Sequence, residues 1–270
     1  MSGWLSGIEE RSEPLEHLPI DNQSWWVVLD QRRASKACAA WLNQEGRKEF
    51  ITLFAGTPLA SLIAASPWLV EVVPGSPAAL EAEAFCHQRL GWMATGKPGA
   101  TLESIAEHLR SLFVLPDPHG GQTLVNIQQP ITWQTLLAST DATMFQHLMA
   151  PFSALFTPTP QSAWRQWQVS FSEVQISFPV YLNRTMEEAL KKSQHAWWLS
   201  GAAKVPMEAL SESWLMRLQI LNEAGITRPD HLQRLLPLIQ RPGAFTEQER
   251  VTLSMNAPAR KKIKELESLV

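Results

Sequence analysis

The chain has 270 residues, 45% hydrophobic and 18% charged, with a formal net charge of −3. That length can remove roughly 70–75% of the unfolded surface from water, enough for one large core or two modest ones. The near-neutral charge excludes a global field that would hold a nucleic acid or an anionic membrane, and two cysteines, Cys38 and Cys86, are too few for a disulfide framework.

Residues 1–22 are polar and contain proline, and they read as a loose lead-in without the basic and apolar regions of a secretory signal. "SWWVVLD" (Ser24–Asp30) is a β-branched and aromatic run that predicts a buried strand, and "QRRASKACAAWLNQEG" predicts a helix after it. "FITLF" (Phe50–Phe54) predicts a second strand, and "TPLASLIAAS" (Thr57–Ser66) a helix with Thr at the N-cap and Pro at the first position. "WLVEVV" (Trp68–Val73) is a third strand, Ser76-Pro77 open another helix, and "GWMAT" is short and extended. Thr101 caps "TLESIAEHLRSL", whose apolar residues 102, 105, 106 and 109 share one helical face. "LFVLP" finishes the helix or starts a strand, "DPHGG" reads as a hairpin-like turn and "QTLVNI" as a strand, because Pro118 fixes φ and Gly120-Gly121 permit a positive one.

After Pro130, "TWQTLLASTDATMFQHLMAPFSALF" predicts two short helices with Asp141 near their junction, "TPTPQ" a break, and "AWRQWQVSFSEVQISFPV" one or two strands. From Leu182 onward every segment is helical. Strands alternating with helices predict an α/β lobe with a mostly parallel sheet over residues 23–181, followed by an all-helical lobe over 182–270. No stretch approaches the length of a membrane span, and the chain reads as soluble and cytoplasmic.

The search for chemistry yields little. "FAGTPLAS" and "ATGKPGAT" come nearest to a phosphate-binding loop, but Pro98 and the glycine spacing spoil the second. No G-x-S-x-G elbow occurs, and the sequence neighbours Cys86 and His87 point in different directions on a helix. The seven histidines are scattered without metal-ligand spacing, so neither cofactor nor metal is expected. Glu103 and Glu107 share a helix face that reads as solvated, and so does the basic cluster "RKKIK" (Arg260–Lys264), with contact to an acidic partner as the alternative. Twelve Trp stand against a single Tyr. Trp fills cores but is also enriched at the centres of binding surfaces, and both readings stay open. The candidate anchors for a partner are Trp164 and Trp167 near the lobe junction and Trp197, Trp198 and Trp214 in the helical lobe.

An ordered series of short motifs resembles the adaptor-chaperone family of type VI secretion, over roughly residues 24–270. The series runs through Leu29-Asp30, Leu53-Phe54, Gly56-Thr57, Pro67-Trp68-Leu69-Val70, Gly91-Trp92, His108-Leu109-Arg110, Gly120 and Pro130. Where that family has Arg-Phe-Tyr-Asp-Pro, this chain has "VNIQQP" (Val125–Pro130), keeping only the Pro and offering amides in place of an ion pair. The resemblance implies a non-enzymatic protein that binds a cognate toxic effector in the cytoplasm and helps load it onto the VgrG spike. The near-neutral charge and the lack of a long apolar run give the further expectation of no nucleic-acid partner and no membrane insertion. The competing reading from the residues is a hydrolase-like α/β enzyme with a helical cap and dispersed acid–base groups.

Overall fold

The computed structural model describes residues 3–19, 24–169 and 179–269. Among these, the strands are β1 (Ser12–Leu15), β2 (Trp25–Leu29), β3 (Arg47–Thr52), β4 (Trp68–Val72), β5 (Gly91–Gly96), β6 (Val114–Pro116), β7 (Gln122–Leu124), β8 (Phe152–Pro158) and β9 (Trp164–Gln168). All but β6 and β7 form one sheet in the order β1-β9-β8-β5-β2-β4-β3. Every neighbouring pair is antiparallel. β6 and β7 make the expected hairpin.

The mostly parallel sheet expected from the strand–helix alternation is therefore wrong. Its helices do join parallel strands, but a third strand is inserted within each pair. The chain runs from β2 through α2 (Ser35–Trp41) to β3, with β4 lying between those two strands. It runs from β4 through α3 (Pro77–His87) to β5, with β2 between them. The apolar continuity of "WWVVL" also misleads. Such runs are usual in parallel sheets covered on both faces, and here an antiparallel sheet is covered in the same way.

One face is covered by α2 and α3. Residues 78, 79, 82, 85 and 86 of α3 recur at helical spacing and pack against Trp25, Val27, Val70 and Phe156. The three alanines in that set bring the helix close to the sheet. Trp41 of α2 ties the two helices together, its Nε1 donating to the Ala78 carbonyl at 2.8 Å.

The opposite face carries the remaining helices. These are α1 (Gly3–Arg11), α4 (Leu102–Ser111), α5 (Pro130–Ser139), α6 (Ala142–Leu148), α7 (Arg184–Ala203), α8 (Glu212–Glu223), α9 (Pro229–Arg234), α10 (Leu236–Gln240), α11 (Glu247–Ser254) and α12 (Ala259–Glu267). Side chains from all ten join Trp26, Val28, Trp92 and Leu155 in one continuous core. Helix starts follow the sequence: Thr101 and Ser104 form a capping box on α4, and the Asp141 carboxylate accepts from the Met144 N–H at 2.8 Å to start α6.

Two local expectations fail. The segment Thr57–Ser66 is not an α-helix but a turn followed by a short 3₁₀ stretch, Ala60–Ala65. The chain there must return to pair β3 with β4, and the Leu53 N–H donates to the Pro67 carbonyl at 3.0 Å to close that loop. The lead-in is not loose over residues 3–15: α1 packs on α5 and β1 pairs with β9. Trp4, Leu5 and Ile8 are buried, which gives this polar-looking segment an apolar seat. The strand expected across residues 163–180 is observed as β9, and residues 170–178 lie outside the described residues.

A Cβ on Gly7 of α1 would stand 2.0 Å from the Ala138 carbonyl oxygen of α5. Gly7→Ala should therefore lower the unfolding free energy by about 1–3 kcal/mol through overpacking. An unchanged urea midpoint would show that α1 is not seated on α5.

Candidate functional site

The residues that carry the family resemblance prove to be joints of the fold. Asp30 ends β2 and is buried. Its carboxylate takes a two-pronged contact from Arg32 (Nε–Oδ1 3.0 Å, Nη2–Oδ2 3.2 Å), which raises the guanidinium pKa further above its usual value. Phe54 stacks edge-on against Phe113 at 5.0 Å, and its N–H donates to Ser66 Oγ at 2.9 Å. After Gly56, the Thr57 hydroxyl donates to the Phe54 carbonyl and accepts from the Leu59 N–H. The Pro67 carbonyl accepts from Leu53, and Trp68 lies 5.7 Å from Phe50 at the β3 edge.

Gly91 is needed for close approach, since a Cβ there would meet the Val28 carbonyl at 1.9 Å. Trp92 is fully buried; its Nε1 donates to the Ile127 carbonyl at 2.7 Å, and its ring meets Trp133 and Phe152 edge-on. His108 Nε2 donates to the Leu148 carbonyl at 3.0 Å, and Arg110 Nε donates to Leu53 at 3.3 Å. Gly120 takes φ +83° in the β6–β7 turn, where the Asp117 carboxylate accepts from the His119 and Gly121 N–H groups. Pro130 is the buried first residue of α5.

The tryptophan candidates divide. Trp164, Trp167 and Trp197 are buried, so they are corrected from surface anchors to core residues. Trp167 Nε1 donates to the Thr157 hydroxyl at 2.9 Å. Trp198 and Trp214 are half-buried against the same core. Nine of the twelve Trp are core residues, which decides the composition question largely for packing.

The basic "RKKIK" cluster is likewise not all solvated. Lys262 is buried, and its Nζ donates to the carbonyls of Ala224 (3.0 Å) and Leu253 (2.8 Å), closing the ends of α8 and α11. Arg217, also buried, donates to the Leu238 and Gly243 carbonyls and lies 4.8 Å over Phe245.

One group of residues that the sequence reading missed gathers where the turn after β2 and the turn before β5 face α7. Arg33 Nη1 donates to the Arg89 carbonyl at 2.9 Å, and Arg89 Nη2 donates to Gln194 Oε1 at 2.9 Å. Gln194 Nε2 in turn donates to Gln129 Oε1 at 3.3 Å, so an amide of the "VNIQQP" segment belongs to this chain of contacts. The available signal was Arg89 itself, standing two residues beyond α3 where a glycine is usual.

The dispersed acid–base groups do not converge. One histidine–carboxylate pair occurs among the described residues, His119–Glu187 at 3.0 Å, and the His119 side chain is 66% exposed. No group of three or more His, Cys, Asp or Glu among the described residues could hold a metal ion. Two open clefts, of about 470 and 580 Å³, are lined mainly by polar side chains, including Glu9, Arg11 and Gln166 in the first and Glu49, Glu71 and Lys97 in the second. No helix among the described residues is long and apolar enough to cross a membrane.

Residues 25–147, β2 through α6, match a family described as "Domain of unknown function (DUF4123)". No curated protein and no solved structure gives a significant match.

Burial pushes the His108 pKa down to about 4 from the usual 6.5, with the nearby His147 and Lys97 acting the same way against the Leu148 hydrogen bond. The stability contributed by this neutral histidine is fully present above pH 6.5. As the pH falls from 6.5 toward 4, the unfolded chain binds a proton that the folded one refuses, and at most about 3 kcal/mol is lost. His108→Gln should flatten the stability profile in that window; identical profiles for both proteins would remove His108 as the cause. Trp167→Ala should cost about 3–5 kcal/mol in a urea titration, and Trp214→Ala clearly less. Equal losses would contradict the division of the tryptophans into core and half-buried sets.

Proposed function

We propose that the protein is a non-enzymatic adaptor that binds a specific type VI secretion effector in the cytoplasm and helps load it onto the VgrG spike. The observation that carries this reading is the family match over residues 25–147, on the segment that holds the ordered motif series. The domain is consistent with a type VI adaptor context. The geometry of the motif positions supports the reading, because they build a scaffold rather than a reactive centre. His108 is neutralised against a backbone carbonyl, and the buried Glu249 faces Arg241 and the Thr246 N–H. Both are structural arrangements.

Recognition of another polypeptide draws on half-buried aromatic and arginine side chains inside a polar rim. The half-buried Trp198 and Trp214 fit that description.

Co-expression with the product of a toxin gene found adjacent to this one should yield a complex that survives purification. Deleting the adaptor should abolish secretion of that toxin while other effectors are still delivered. Absence of association, with toxin secretion unchanged in the deletion strain, would overturn the reading.

A further inference from the structure

α3 ends in a hydrogen-bond pattern that normally selects glycine. The Arg89 N–H donates to the Cys86 carbonyl at 2.8 Å and the Leu90 N–H to the Phe85 carbonyl at 3.0 Å. Arg89 itself takes φ +65°. This left-handed position disfavours a side chain, so an arginine here stands where glycine is the easier residue.

Its guanidinium is held in place. It lies 5.1 Å over the Trp197 ring and donates to Gln194, whose amide is fixed in turn by Gln129. Arg33 is bonded to the Arg89 carbonyl, so a second cation sits alongside. Burial, and then the charge of Arg33, push the Arg89 pKa down. Among the described residues, no carboxylate lies within 4.0 Å of either guanidinium. Asp30 is engaged by Arg32 instead. Two adjacent cations, one of them pre-oriented and half-desolvated, are complementary to a carboxylate, which a guanidinium fork binds with two parallel hydrogen bonds.

We propose that Arg89 and Arg33 form a receptor for an acidic side chain of a bound polypeptide, which docks where the turn after β2 and the turn before β5 face α7. The polypeptide nature of the partner rests on the adaptor reading. The carboxylate chemistry rests on the arginines.

The probe is fluorescein-labelled hexaglutamate, with the hexaglutamine peptide as neutral control, titrated into the full chain by fluorescence anisotropy. Hexaglutamate should bind, more weakly as NaCl is added, and the neutral peptide should not. Arg89→Gln should weaken binding at least tenfold and Arg33→Gln severalfold. Arg228→Gln, which breaks an exposed pair with Asp230, should leave binding unchanged. Arg89→Gly keeps the helix end unstrained, so its loss of binding with an undiminished melting temperature separates recognition from folding. No binding by the wild type, or binding by the Arg33 and Arg89 variants as tight as the wild type's, overturns the receptor. The two readings fail separately. A co-encoded toxin that binds regardless of Arg33 and Arg89 sinks the receptor alone, whereas hexaglutamate binding without any toxin association sinks the adaptor alone.

Discussion

β2 and β5 lie side by side at the middle of the sheet with every residue buried. Trp26, Val28 and Trp92 point to one side, and Trp25, Val27 and Met93 to the other. An antiparallel sheet commonly leaves one face to water; this one has no polar face to offer there. Covering both sides is therefore the constraint that arranges the rest of the chain. α3 through its alanines and α2 through Cys38 and Trp41 cover one face, and the other is covered by the helices that follow β5, together with α1.

Filling the two faces of the sheet explains the tryptophan surplus better than recognition does. Each buried indole removes about 150–250 Å² from water, and several also brace polar backbone or hydroxyl groups. Trp92 satisfies the Ile127 carbonyl, Trp41 the Ala78 carbonyl and Trp167 the Thr157 hydroxyl. Trp4, Trp26 and Trp133 have buried Nε1 atoms without a hydrogen-bond partner among the described residues, so there the indole serves as apolar bulk at the expense of its N–H.

What the sequence made legible was local chemistry. The hairpin at "VLPDPHGGQTL", the cap at Thr101 with its apolar face, and the all-helical character after Leu182 all depend on residues close in sequence. Strand orientation was not legible, because a doubly buried strand reads as the same apolar run in either direction. The α1–β1 segment was missed for a related reason. Its apolar residues Trp4, Leu5 and Ile8 acquire meaning only against α5, far along the chain. The motif positions were found as a series, but their roles required contacts such as Gly91 against the Val28 backbone, which no spacing reveals. Arg33, Arg89, Gln129 and Gln194 come from four separate segments, so their assembly was invisible until the chain was folded.

The buried cations show how differently this fold treats positive charge. Lys262 donates to two helix-end carbonyls, Arg217 to the Leu238 and Gly243 carbonyls with Phe245 beneath it, and Arg165 faces Glu208. In each, desolvation is offset within the fold, as buried charge requires. Arg89 departs from that pattern. It has a neutral amide and an aromatic face, a like charge for its neighbour, and a backbone conformation that favours glycine. Its guanidinium is only half-buried, so water hydrates part of it, and a carboxylate arriving there, as proposed above, would supply an opposite charge and the two acceptors that the guanidinium fork can use.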